Sequence, residues 1–314
     1  MDHRLYDYSA LPSRTRFQWA DGRGLAAYVL LFLEHWELTP PANALRDPRM
    51  AGEYGSFAPD YRSWSQREYG LRVGIFRAID ALRDAGLRPV VAANAMALRR
   101  LPALVQLFND WGCEWVAHGD YATRMMHANM DLPTQRATIN GSIEAVLQAT
   151  GQRPQGWLSQ DWGTTPDTPA LLAAAGIGYT LDWCNDDQPY WMHTEPPLLS
   201  IPLSSEWDDV QCQWLRNLEP RAHTELAVAA FERLRQECAQ QQRAAVFALS
   251  IHPWLSAMPS RIGALRTLLA RLRAHSDVLW TTPGALLAST PRSQNLCPPT
   301  TTRVPIAPAT TSIP

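Results

Sequence analysis

Apolar residues run without a break from Leu25 to Leu33 and stop abruptly at Glu34-His35-Trp36-Glu37. A continuous run of that length reads as a strand buried on both faces, as in a parallel sheet. Asp21-Gly22-Arg23-Gly24 ahead of it is a turn signal. The Pro/Gly-rich stretch from Thr39 to about Trp64 has no periodicity, and a loop of that length in a compact domain points to function rather than simple connection. Beyond it the pattern alternates. Helical periodicity over 73–85 gives way to a strand at 89–93, a helix at 97–111 and a strand at 113–117. Then come a helix at 134–150, a strand at 156–159, a helix at 168–175, and strands at 179–183 and 199–202. The series ends with a helix at 224–241, a strand at 245–251, a helix at 261–275 and a strand at 278–281.

Seven or eight β-then-α units predict an α/β protein with a parallel sheet and right-handed connections. No GxGxxG follows the first strand, so a (β/α)7–8 barrel is preferred to an open doubly wound sheet. The expected division is an N-terminal segment over 1–24 packing on the barrel, a barrel domain over 25–289, and a disordered Pro/Thr-rich tail over 290–314.

Composition narrows the chemistry. The chain has 314 residues, a formal net charge of −2, 46% hydrophobic and 18% charged residues, enough for a substantial core. All 28 basic residues are arginine. Without lysine there is no Schiff-base chemistry and no P-loop. The near-neutral balance argues against a nucleic-acid surface. No stretch approaches the ~20 apolar residues of a membrane helix, and the N-terminus lacks the apolar core of a secretory signal. Five scattered cysteines without CxxC spacing fit reduced thiols, so a cytoplasmic location is expected.

In a parallel barrel, chemistry gathers at the C-terminal ends of the strands. Polar residues at those ends are Glu34 and His35, His118 and Asp120, Gln160 and Asp161, Asp182 with Asn185-Asp186-Asp187, Glu206 with Asp208 and Asp209, and His252. Three of the eight histidines (His35, His118, His252) end strands. One such histidine is usually structural, whereas three at equivalent ends favour a site. Asn185-Asp186-Asp187 reads equally well as an Asx turn. Tryptophans beside these positions, Trp36, Trp64 and Trp162 among them, would supply the apolar walls of a pocket.

In this order, Leu33-Glu34-His35-Trp36-Glu37, the segment from Trp64 to Gly74 containing Arg67-Glu68-Tyr69-Gly70-Leu71-Arg72-Val73-Gly74, His118-Gly119, Gly156-Trp157-Leu158, Asp182 to Tyr190, and Ile251-His252-Pro253-Trp254 resemble the polysaccharide deacetylase (NodB-like) superfamily. More closely they resemble its branch containing metal-independent allantoinase-type enzymes, over about Leu5 to Leu287. The resemblance implies a distorted NodB-type barrel and hydrolysis of a non-peptide carbon–nitrogen bond, amide or ureide, in a small molecule. By position it makes Glu34 the base, His252 the acid, and His35 and His118 metal ligands. The HxxxH pattern is broken at Ala122, so the expected cofactor is either none or one divalent metal, zinc if present.

Trp36, Trp64, Tyr69, Arg72, Asp161, Asp186, Asp187 and Glu206 are the expected substrate contacts, although Arg72 reads rather more readily as a tie holding the long loop through Glu68 or Asp80. Burial is expected to raise the pKa of Glu34. Competing readings are a sugar N-deacetylase on an intracellular glycan or sugar derivative, within carbohydrate metabolism, and a degenerate ligand-binding protein. The expected partners are a small-molecule substrate and further copies of the chain, with neither nucleic acid nor membrane.

Overall fold

The structure is a computed structural model that describes residues 3–45, 49 and 59–292. Residues 46–48 and 50–58 of the loop expected over 39–64, and all but three residues of the tail expected over 290–314, therefore lie outside the described residues, and residues 61–64 of that loop open a helix. The first strand, β1 (Leu25–Leu33), is buried throughout. Leu25, Ala27, Val29, Leu31 and Leu33 pack into the layer beneath the helices, and Ala26, Tyr28, Leu30 and Phe32 pack inside the sheet's curl. Successive side chains alternate across a strand, so one apolar run supplies both layers.

The elements then follow in order: α1 (Tyr61–Tyr69), a π-helical turn Gly70–Gly74, α2 (Ile75–Asp84), β2 (Val90–Ala93), α3 (Ala95–Arg100), α4 (Pro102–Asp110), β3 (Glu114–Ala117), α5 (Leu132–Thr150), β4 (Gly156–Trp157), α6 (Thr168–Ala174) and β5 (Tyr179–Thr180). The second half contains β6 (Tyr190–Trp191), β7 (Leu199–Ser200), a π-helical turn Val210–Leu215, α7 (Pro220–Gln241), β8 (Ala245–Ile251), α8 (Pro253–Ser256), α9 (Ile262–Arg273), β9 (Leu279–Trp280) and α10 (Pro283–Ser289). The strands form one sheet in the order β6-β7-β5-β4-β3-β2-β1-β8, with β9 pairing β1 off that path. Every pairing is parallel except β6 with β7. This is a distorted (β/α) barrel, as expected, with helices packed outside.

One edge of β1 is shared. Its first half meets β9 (Ala26 with Leu279) and its last half meets β2 (Leu30 with Val90), while β8 runs along the other edge. The helix expected over 97–111 is broken in two at Leu101-Pro102. Proline has no N–H to continue the ladder, so it starts α4 instead. Residues 5–19 are tied down by bonds from Trp19 Nε1 to the Ala245 carbonyl (2.9 Å) and from the His193 amide to the Leu5 carbonyl (2.7 Å). No described helix is long and apolar enough to cross a membrane.

Candidate active site

Strand alternation decides which residues meet. Glu34 follows Phe32 on the inner face of β1, and His118 follows Val116, an inner residue of β3. His252 follows Val246 and Ala248, inner residues of β8, by steps of two. All three line one cavity at the C-terminal mouth, together with Phe32, Trp36, Asp161, Trp162, Asp208 and Trp254. Its volume is about 50 Å³. With one water-sized probe taking roughly 10–15 Å³, the enclosed part admits only a few non-hydrogen atoms.

The rings pack tightly. Phe32 stacks on His252 (centroids 3.8 Å apart, planes at 16°) and meets His118 edge-on at 5.4 Å. Nδ1 of His118 lies 2.7 Å from the Leu158 carbonyl, and Nε2 lies 3.2 Å from Glu34 Oε1. A carbonyl oxygen only accepts, so Nδ1 carries a proton. The contact between Nε2 and the carboxyl then holds one further proton. Burial pushes the Glu34 pKa up, but the His118 hydrogen bond and the positive charges of His252, His118 and Arg67 outweigh it and hold the carboxyl below its usual range. The expectation of a raised pKa is thus reversed, because burial comes with three positive neighbours.

Behind His252, Asp209 is 0% exposed. Its Oδ1 lies 2.6 Å from His252 Nδ1, and its Oδ2 accepts from the His252 amide (2.8 Å) and from Ser256 Oγ (2.6 Å). Burial alone would lower the His252 pKa, but the charge and hydrogen bond of Asp209, with Asp208 and Glu34 nearby, raise it to about 9. Burial pushes Asp209 up, and the His252 charge and its hydrogen bonds pull it below the usual carboxylate range. At neutral pH, then, His252 is an imidazolium with Nε2 left over and Asp209 is a carboxylate. Neighbouring Asp208 is pushed up by burial and, against the pull of His252, by the charge of Asp209. Also on the lining, Asp161 and Trp162 are consecutive residues with φ of 49° and 53°. Two left-handed non-glycine residues in a row cost of order 1–3 kcal/mol each and mark a loop held in place by its surroundings.

This arrangement brings together Glu34, His118, His252, Trp36 and Asp161 of the expected site. The other expected residues fall elsewhere. Trp64 stands behind the wall, its Nε1 donating to the Trp36 carbonyl at 3.1 Å. Tyr69 bonds to Arg77 through its hydroxyl, and Arg72 is exposed; neither lines the cavity. Glu206 is also exposed and pairs with Arg216 through both oxygens at 2.9 and 3.0 Å.

Asp186 and Asp187 are corrected most sharply. Asp186 pairs with Arg14 at 2.6 Å, the Asp187 carbonyl accepts from Val246 N, and Gln188 Nε2 donates to the Ala244 carbonyl. These contacts lie at the beginning of β8, whereas His252 follows its end. At about 3.3 Å per residue, roughly 20 Å separates the ends of that strand. The chain doubles back after Asp182, so residues that follow a strand end in sequence do not stay at the mouth.

His35 is turned away. It takes the odd phase of β1 and faces the helices, its Nδ1 2.6 Å from Arg100 Nη1 and 3.7 Å from Glu68. Burial first, and the Arg100 charge second, lower its pKa to about 4. Sequence reasoning undervalued Asp208 and Asp209, two acids in a non-periodic segment, and Arg67, described below. The one available signal was that Asp208-Asp209 follow a short strand.

Solved structures share this architecture. A protein assigned as a polysaccharide deacetylase from Mycobacterium smegmatis is 23% identical and has a TM-score of 0.71; the match covers 87% of this chain and 92% of that one. One likewise assigned from Pseudomonas aeruginosa is 24% identical, TM-score 0.75, covering 86% and 92%. An allantoinase is 23% identical, TM-score 0.76, covering 86% and 91%. The fold is that of the polysaccharide deacetylases. No protein-family model and no curated protein matches the sequence.

For a polysaccharide-deacetylase fold, a metal at this mouth is the obvious question, and the donors answer it. Ala122 is buried and offers only its amide, which donates to the His35 carbonyl at 3.0 Å. His35 points to Arg100, and both nitrogens of His118 are engaged. Asp208, Asp209 and His252 have donor atoms within 4.8 Å of one another, the one such group of three among the described residues. Yet His252, raised to about 9, carries a proton on both nitrogens, Nδ1 donating to Asp209 at 2.6 Å, and so offers no lone pair. The carboxylates of Asp208 and Asp209 alone fall short of the three protein ligands a catalytic zinc needs. The residues present do not fit the metal, and no step below is routed through one.

Proposed function

We propose that the protein hydrolyses a carbon–nitrogen bond, amide or ureide, in a small molecule. The observation that carries this reading is the pairing, across one cavity, of a Glu34 carboxylate held below its usual pKa range with a His252 imidazolium raised to about 9. Glu34 accepts the proton of the attacking water through Oε2, which makes no hydrogen bond to a described residue. His118 fixes the carboxyl and spreads the proton it receives. Nε2 of His252 stabilises the oxyanion and then gives its proton to the leaving nitrogen, with Asp209 holding the ring in place. A carboxylate this acidic is a weak base in water. Trp36, Trp162 and Trp254 exclude water around it, which favours proton uptake as charge develops on the substrate.

The narrow part of the cavity admits a carbonyl group, the part of a substrate on which Glu34 and His252 would act. Cys113, Cys184, Cys212 and Cys238 are free thiols, consistent with action in the reduced cytoplasm. The test is direct. Purified protein is incubated with hydantoins, linear ureides and N-acetyl sugars, and ammonia, carboxylate and acetate release are followed. Opening of a ureide or hydantoin supports the reading. Acetate release from sugars alone replaces it with N-deacetylation, and tight binding with no product replaces it with ligand binding.

A further inference from the structure

The segment Arg67-Glu68-Tyr69-Gly70-Leu71-Arg72-Val73-Gly74 sends neither Tyr69 nor Arg72 to the cavity, but its first and last residues bear on it. Arg67 is 5% exposed near the end of α1. Its guanidinium carbon lies 3.2 Å from the ring centroid of Trp254, 4.7 Å from that of Trp36 and 5.0 Å from that of Trp214. Trp36 and Trp254 are cavity walls, and Trp214 meets Trp254 edge-on at 5.3 Å. A guanidinium is planar and weakly hydrated, so it stacks among aromatic faces where an ammonium would not. A Cβ on Gly70 would come within 2.6–2.8 Å of Trp254 atoms, and one on Gly74 would collide with the Pro253 carbonyl. Arg67, Gly70 and Gly74 therefore all press on the Pro253-Trp254 turn that immediately follows His252.

We propose that Arg67 is a positioning residue: stacked among three tryptophans, it sets the Trp36–Trp254 wall and the turn that carries His252. The proposal rests on the hydrolase reading of the site, since the wall and His252 are what Arg67 places. No contact between Arg67 and substrate is required.

The experiment compares Arg67→Ala and Arg67→Lys with and without millimolar guanidinium chloride, using sodium chloride as the salt control. Arg67→Ala should lower kcat/KM by about tenfold to a hundredfold, the range for a displaced group near the chemistry. Guanidinium, filling the vacated stack, should restore several-fold of this loss, and sodium should restore none. Arg67→Lys keeps charge and stem, which protects folding, and should be as impaired as the alanine variant. Wild-type activity in either variant, or a loss indifferent to guanidinium, overturns the proposal.

A readout without turnover separates this failure from failure of the hydrolase reading. Indole N–H resonances of Trp36, Trp214 and Trp254, assigned by Trp→Phe substitution, should shift in Arg67→Ala and return with guanidinium. Resonances that do not move overturn the proposal even if the protein hydrolyses nothing.

Discussion

Asp209 grips His252 at two points, accepting from Nδ1 at 2.6 Å and from the backbone amide at 2.8 Å. One carboxylate therefore fixes the ring's rotation, its protonation and the chain entering α8. Replacing it by asparagine keeps the shape and removes the charge. Asp209→Asn should return the His252 pKa toward its ordinary value or below, because burial remains while its main opponent is gone. Turnover at pH 8 should fall by about a hundredfold or more. Loss of the charge-assisted hydrogen bonds should destabilise the fold by about 1.5–3 kcal/mol, measured by urea unfolding.

The pH dependence of stability follows from the same pair. The folded protein holds the His252 proton up to about 9, against 6.5 for the unfolded chain. This contribution is complete below about 6.5 and lost as pH rises through about 9, with a slope of at most ~1.4 kcal/mol per pH unit. Urea midpoints between pH 6 and 10 should decline for the wild type, and His252→Gln should lack that component. Hydrolysis should show its basic limb near 9, while the lowered Glu34 keeps the acid limb below the usual carboxylate range.

Glu34→Gln is the least disruptive change at the base. The glutamine amide can donate to His118 Nε2 while Nδ1 keeps its bond to the Leu158 carbonyl, so thermal unfolding should barely move. Turnover should drop by about 10²–10⁴-fold, the usual contribution of a positioned base. A variant that kept its rate would remove Glu34 from the mechanism.

Asp186 is expected to matter for folding only. Its bond to Arg14 ties the N-terminal segment to the barrel away from the cavity that Glu34 and His252 line. Asp186→Asn should cost about 1–2 kcal/mol and speed proteolysis within the first 19 residues, with kcat/KM unchanged. A selective loss of activity would return this acidic pair to the site.

What could be read beforehand tracks how local the governing physics is. The continuous run from Leu25 to Leu33 announced a strand buried on both faces, and the Glu-His that ends it announced the mouth. Alternation could have gone further, since Glu34 is in phase with Phe32 and His35 is not; counting by twos would have sent His35 to the outer layer. The reversal of the chain after Asp182 depends on Asp187 and Gln188 capping the beginning of β8, a pairing almost 60 residues away that no local pattern carries. Arg67 sits in a polar helix where nothing in the spacing announces burial; the three tryptophans that its guanidinium faces come from distant segments. The lowered pKa of Glu34 likewise depends on charges on three other elements.

The central claim is that Glu34 and His252 act on one bound molecule, and a double-mutant cycle on turnover tests it most directly. Rates are measured for wild type, Glu34→Gln, His252→Ala and the double variant on whichever ureide, hydantoin or N-acetyl compound the wild type hydrolyses. Groups serving one transition state lose little more together than apart, so the double variant should be nearly as active as the worse single variant. Full turnover in either single variant, or losses that simply multiply in the double, would contradict the account.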